Sequence, residues 1–344
     1  MADPRGATVV LGAGPVGCMA ALAAARTGPV ILYAARDNPG PPRVDSVPAP
    51  LLALLLEFGV HPAEVGVTEL QDTRMASWES RDPVVLRTRA MAHVVRPELD
   101  LALRREVLRS PAVTIVRTLD PHASRTAARV IDASGRTAIS AVRRVRPARP
   151  FVARTSTATG QFSRAARAFR LAAMPDGYVY RLGTPALLTF GIVGPKRFHS
   201  AAVACKLRQL GLGWILTGLP SLETMAAGRS GIASVQWSEG PHHPIRVGDA
   251  ALARDSLSSQ GMANGLSDAL QASEHEASLW RRHKEERQAH LASLIREIEW
   301  CWCGSSSNWM GYQTFLRGHL DAMGTVSVDD GQDRQARLAA HAAA

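Results

Sequence analysis

Lysine is nearly absent from the chain: of forty basic residues only Lys196, Lys206 and Lys284 are lysine, and arginine supplies the rest. The formal net charge of +10 would suit a nucleic acid. No recognised DNA-binding module accompanies it, however, and aromatic residues, 5% of the chain, do not interleave the basic stretches as a single-strand binder requires. No nucleic-acid partner is expected. Cysteine is scarce as well. Cys18, Cys205, Cys301 and Cys303 are too few and too scattered for a disulfide framework, and Cys301-x-Cys303 lacks the C-x-x-C pairs and histidines of a zinc site. No metal is expected, and a reducing cytoplasm is the default compartment.

Charge is missing altogether between Arg5 and Arg26, where the run "TVVLGAGPVGCMAALAAARTG" begins at Thr8. About 20 apolar residues cross a bilayer, so length alone allows a membrane span. A signal peptide is disfavoured, because no basic region feeds a Leu-rich core and no small-residue cleavage site follows. Within the run, "TVVL" reads as a strand that stops at Gly12-x-Gly14-x-x-Gly17, and "CMAALAAARTG" as a small-residue helix closing at Gly28. Strand, glycine turn and helix make a dinucleotide cradle: glycines form the turn, admit the pyrophosphate to the backbone and let helix pack on strand, with the anion on the helix N-terminus. The same pattern also serves as a plain tight turn in a buried βα unit. No membrane association is expected.

Acidic residues are missing from Thr137 to Pro175, where Arg143, Arg144, Arg146, Arg149, Arg154, Arg164, Arg167 and Arg170 fall. The stretch reads as a solvated basic face or as an electrostatic dock for an acidic partner.

At 344 residues and 46% hydrophobic content the chain can bury one large or two medium cores. "PVILYAARD" follows as a second strand, and "PRVDSVPAPLLALLLEFGV" as a proline-rich loop running into a Leu-rich helix. The Leu99, Leu103, Val107 spacing predicts a helix over "HVVRPELDLALRREVLRS", and "AVTIV" and "ARVIDASGR" read as strands. From about Phe151 the texture turns to β runs such as "DGYVYRLG" and "ALLTFGIVG". "IRVGDAALARDSLSSQGMANGLSDAL" returns to strand, loop and helix, and Glu274 to Trp302 is a charged amphipathic helix. The expected fold class is α/β, α+β overall: a Rossmann-like nucleotide-binding domain, an inserted mainly β substrate domain, and C-terminal helices. The expected boundaries are 1–150 for the first part of the binding domain, 151–240 for the insert, 241–272 for the return segment, 273–325 for the helices and 326–344 for a frayed tail.

Three glycine-and-acid segments stand in order: "GAGPVG", "VIDASGR" at 130–136 and "VGDAALARDSLSSQG" at 247–261. With "VVRPELDLAL", which looks like an R-x-x-L/F-D segment, they resemble the FAD-dependent aromatic hydroxylase and halogenase superfamily over roughly residues 7–302. Within it the chain is most similar to tryptophan-halogenase-like flavoproteins, including those that hydroxylate tryptophan side chains in peptides or proteins during quinone-cofactor maturation.

The resemblance implies that Gly12, Gly14 and Gly17 cradle the FAD pyrophosphate, that Arg96 and Arg43 approach the cofactor, and that Asp249 bonds its ribityl or pyrophosphate region. Gln260, Gly261 and Met262 would begin a helix aimed at the flavin ring. Tyr33, Ala34 and Ala35 stand where an acid usually holds the adenosine ribose, and Ser256 where a proline usually follows the acid. The halogenase motif W-x-W-x-I-P is missing, as is any lysine before Lys196. Both absences favour hydroxylation over halogenation. The implied reaction is delivery of oxygen from a C4a-hydroperoxyflavin to an electron-rich ring, with Asp45 or His199 as candidate catalytic bases. The implied substrate is an aromatic ring, the indole of tryptophan in an acidic peptide or carrier. Since no second nucleotide fingerprint is present, NAD(P)H would bind transiently or a separate flavin reductase would supply electrons. A halogenase-like or other small-molecule oxidoreductase, and a non-catalytic binding protein on the same scaffold, stay open as alternatives.

Overall fold

The uncharged opening run folds as β1 (Thr8–Leu11), a glycine turn and α1 (Pro15–Ala24), with proline in the first helical turn where its missing N–H leaves nothing unpaired. These elements belong to a computed structural model that describes residues 6–35, 40–77, 82–118, 125–194, 200–239, 244–255, 261–274, 276–301 and 307–323. Among the described residues no helix is long and apolar enough to cross a membrane.

After α1 come β2 (Val30–Tyr33), β3 (Val44–Pro48), α2 (Pro50–Glu57), and a long hairpin of β4 (Leu70–Ser77) and β5 (Val84–Val95). The chain continues through α3 (Arg96–Arg109), β6 (Val113–Val116), β7 (Arg129–Asp132), β8 (Arg143–Val145) and β9 (Val152–Thr159). A helical turn, α4 (Arg164–Arg167), precedes β10 (Arg170–Met174), β11 (Gly177–Gly183) and β12 (Leu187–Gly194). Then follow α5 (Ser200–Gln209), β13 (Ala226–Ile232), β14 (Gln236–Glu239) and β15 (Ile245–Arg246). Four helices close the described chain: α6 (Asp249–Leu252), α7 (Gly261–Glu274), α8 (Glu276–Cys301) and α9 (Ser307–Ala322).

The smaller sheet is parallel, in the order β15-β7-β1-β2-β6. From β1 the chain moves outward through β2 and β6, then crosses back to β7 on the other side. The C-terminal end of β1 therefore opens onto the crevice where parallel α/β sheets bind ligands. The larger sheet runs β13-β9-β12-β11-β10-β4-β5-β3, mostly antiparallel, with one parallel join between β10 and β4. Its last three strands come from residues 44–95, so a sheet whose texture is first evident near Phe151 also draws on chain well before it.

Two local outcomes differ from the sequence expectations. His93 to Val95 extend β5 rather than open the helix: the β-branched pair Val94-Val95 favours strand, and α3 begins at Arg96 with Pro97 in its first turn. The acid-free stretch is not acid-free in space. Arg164 and Arg167 meet Glu69, just ahead of β4, at 3.1 and 3.0 Å, and Arg143 pairs with Glu239. Arg170 donates to the carbonyls of Trp214 and Ala165. The three arginines best placed for an acidic dock thus hold β4, α4 and the 213–216 turn together. The C-terminal helices complete the larger core. Trp309 and Tyr312 of α9 pack edge-on against Phe151, with ring centroids 4.6 and 5.3 Å away.

Candidate functional site

The turn after β1 is built for a backbone to be approached. Gly12 has φ +104°, and a Cβ there would lie 2.8 Å from the Ala133 carbonyl oxygen in the turn after β7. A Cβ on Gly17 would fall 1.7 Å from the Gly12 oxygen, so α1 reaches the turn only because residue 17 has no side chain. Gly14 differs: nothing in the protein lies within 4 Å of a Cβ there. It faces the cavity.

That cavity is a cleft of about 790 Å³ that begins at Gly12 and Gly14 and extends across one face of the larger sheet. Phe169, Leu171, Tyr178, Tyr180 and Leu182 project into it from β11 and from β10 and its approach, as alternate residues of adjacent strands must. Burial pushes the Tyr180 phenol up to about 12, with the nearby Asp45 charge adding to the effect. The far wall is therefore largely aromatic.

Asp45 lies in this lining. It accepts from Arg43 Nε at 3.1 Å and from Arg96 at 3.3 Å, and Arg96 Nε turns to Asp100 at 2.8 Å. Burial by itself would raise the Asp45 carboxyl, but the two guanidiniums outweigh burial and hold it below the ordinary aspartate range. A carboxylate so stabilised is a weak proton acceptor. The contacts it makes hold Arg43 and Arg96 in place. If the cleft holds the cofactor that the sequence resemblance implies, Asp45→Asn, which keeps shape and removes charge, weakens FAD binding by about 1–2 kcal/mol through the loosened arginines. An unchanged dissociation constant combined with lost turnover would support the base role expected from the sequence.

Across the cleft, Gly248 at φ +56° presents its N–H to Asp268, and Asp249 starts α6. Asp249 meets Arg136 Nε at 3.4 Å, while the other Arg136 nitrogens donate to the carbonyls of Ser234 and Arg254. Gly261 and Met262 open α7 at the same wall, where a Cβ on Gly261 would sit 3.6 Å from Asp249 Oδ1. Thus Gly12, Gly14, Arg96, Asp249, Gly261 and Met262 line one cleft, with Arg43 just behind it. Gln260 and His199 lie outside the described residues.

Several lining residues were assigned no site role from the sequence. Arg136 is the last residue of the quoted "VIDASGR" segment, where it was given no role of its own. Asp255 is buried at the aromatic end, where its carboxylate accepts from the hydroxyls of Tyr178 at 3.3 Å and Tyr312 at 3.0 Å. No motif marked either tyrosine, since the contact joins β11 to α9 across the fold.

No family model matches the chain, and neither does any curated protein. Solved structures do. A myxobacterial FAD-dependent halogenase, the chondrochloren halogenase CndH, is 17% identical with TM-score 0.69, over 90% of this chain and 86% of that one. The peptidyl tryptophan dihydroxylase QhpG, essential for tryptophylquinone cofactor biogenesis, is 22% identical with TM-score 0.60, over 98% and 79%. The p-nitrophenol 4-monooxygenase PnpA of Pseudomonas putida is 16% identical with TM-score 0.61, over 98% and 93%. The chain has the fold of these halogenases and hydroxylases. The fold class expected from the glycine turns and the β-rich insert is the one observed.

Proposed function

We propose that the protein is an FAD-dependent monooxygenase that hydroxylates an electron-rich aromatic ring, the indole of tryptophan within a peptide or carrier. The observation that carries the reading is continuity: one cleft joins a glycine turn fitted to a pyrophosphate with an aromatic wall fitted to a flat ring.

The residues suit the cofactor. Gly12 and Gly17 let the turn close and α1 pack against it, and Gly14 presents side-chain-free backbone to the cleft at the N-terminus of α1, which is what an anionic pyrophosphate needs. Arg96 and the Arg136–Asp249 pair would hold the chain that links the two ends of the dinucleotide, and the N-terminus of α7 at Gly261 and Met262 would face the flavin ring, where N–H groups favour negative charge. Bound and reduced, FAD would supply the activation of dioxygen. The protein would do the rest: Phe169, Leu171 and Tyr180 would hold the ring and exclude water, and Asp45 would keep Arg43 and Arg96 in place. Among the described residues, the cleft lining contains no lysine, which favours hydroxylation over halogenation. Similarity to a peptidyl tryptophan dihydroxylase supports the peptide substrate. NAD(P)H or a separate flavin reductase would be the electron source.

The test is uptake of FAD followed by intact-mass measurement of tryptophan and tryptophan-containing acidic peptides after incubation with a reductase, NADH and oxygen. Gain of one or more oxygen atoms by a peptide is the expected result. A halogen gained in the presence of chloride or bromide would overturn the hydroxylase reading, and free tryptophan turning over as fast as any peptide would overturn the carrier.

A further inference from the structure

We infer that the carrier docks as an extended acidic peptide along residues 139–149, a strip that starts at the rim of the cleft and presents arginines to solvent. The inference rests on the reading above that the aromatic ring enters the cleft as part of a peptide. The strip begins in the site itself, since Thr137 and Ile139 line the cleft. Its first residues are tied to the end of β7, where the Ser140 N–H donates to Asp132 at 2.9 Å and the Ile139 N–H to the Ser134 hydroxyl at 3.0 Å.

Apolar surface comes first along this path: Ile139 is 45% exposed at the rim and Val142 77% exposed beyond it. Arginine then takes over. Arg143, Arg144, Arg146 and Arg149 are all exposed, and among the described residues Glu239 is the one carboxylate paired with any of them, through Arg143. Arg144 donates back to the carbonyl of Arg136, itself in the cleft lining, which ties the basic strip to the site. Four guanidiniums against one carboxylate leave the strip positive, whereas Arg164 and Arg167 are taken up by Glu69. An acidic chain is therefore steered here and not to the second half of the arginine stretch. Among the described residues, β8 pairs with β14 alone, so it is an edge strand, the kind of element to which an extended peptide adds. Charge by itself would also suit a nucleic acid, but residues 139–149 include no aromatic side chain on which a base could stack. The aliphatic rim and the edge strand favour a peptide.

The experiment measures, by fluorescence anisotropy with and without FAD, binding of labelled peptides that carry one tryptophan between either glutamate or glutamine flanks. Each exposed ion pair is worth about two- to threefold, so the glutamate peptide is expected to bind wild-type protein about tenfold tighter or more at low salt. That preference should fall to within about threefold as added salt screens the strip. Arg146→Glu combined with Arg149→Glu, both on exposed side chains, should bring the low-salt ratio within about twofold. Arg164→Ala, which removes an exposed arginine outside the strip, should leave the ratio unchanged. Because each result is a ratio within one protein, a general loosening by substitution cancels. Binding of neither peptide, equal affinities in the wild-type protein, a preference that survives the double reversal, or one that Arg164→Ala erodes as much would overturn the inference. A single-stranded oligonucleotide of matching charge that binds the strip more tightly than the glutamate peptide would overturn it in favour of nucleic acid. A protein that takes up FAD and oxidises free tryptophan without any flank preference loses the dock and keeps the hydroxylase. A flank preference abolished by the double reversal, in a protein that takes up no FAD, keeps the dock and refutes the cofactor reading.

Discussion

Gly14→Val is expected to yield a folded, monodisperse protein whose FAD affinity is lower by about a hundredfold or more, whereas Gly17→Ala is expected to lose about 3 kcal/mol of stability or more. The two glycines stand three residues apart in the same turn, and a motif treats them alike. The structure separates them. A methyl group on residue 17 lands 1.7 Å from a backbone oxygen that cannot move without displacing β1 or α1, so the protein itself must distort. A side chain on residue 14 meets no protein atom within 4 Å, and the backbone there, with φ −75° and ψ 179°, suits any residue. Only a ligand seated in the cleft would be struck. Thermal unfolding of the two variants measures the first effect, and flavin fluorescence quenching the second. Wild-type FAD affinity in a folded Gly14→Val protein would remove the pyrophosphate from this turn and with it the cofactor reading.

How much of this was legible in the sequence depended on how local each feature is. β1, its turn and α1 were readable because the glycine spacing, the β-branched strand and the small-residue helix all lie within twenty residues or so. The Leu99, Leu103, Val107 face of α3 was readable for the same reason, and all three residues are buried. The β4–β5 hairpin was not: its strands mix exposed Val84 and Val85 with arginines and threonine, so neither period stands out. The basic stretch misled because a linear run of arginine shows nothing of Glu69, nearly a hundred residues earlier, which the parallel join of β10 to β4 brings alongside. Asp45 lines the cleft, but its partners decide its chemistry, and Arg96 reaches it across 51 residues. The Tyr178–Asp255–Tyr312 contact spans three elements distant in sequence, and nothing in any one of them announces it.

A second large effect is expected at Asp268, which no motif contains. Asp268→Ala should destabilise the protein by about 3–5 kcal/mol, the range found when one partner of a buried ion pair is removed. The carboxylate is only 6% exposed and serves three groups from two other segments: it accepts from the Gly248 N–H at 3.0 Å, from Arg282 at 2.5 Å, and faces His283 Nε2 at 3.1 Å. Burial alone would raise its pKa, but the His283 contact, the Gly248 N–H and Arg282 together bring it below the ordinary aspartate value. A carboxyl whose folded pKa is depressed contributes stability that is fully present above its unfolded value of about 3.9 and is lost as pH falls through the lower, folded one. The stability difference between wild type and Asp268→Asn should accordingly be constant from neutral pH down to about 5 and shrink below about 4, as measured by urea midpoints across that range. The same carboxylate pins Gly248 at its left-handed conformation, and Gly248 aims Asp249 at the cleft. Even where the Asp268→Asn protein is fully folded, its FAD affinity should therefore drop. A variant that loses stability yet binds FAD as wild type would show that the turn before α6 is rigid without its anchor, and that Asp268 serves the α7–α8 packing alone.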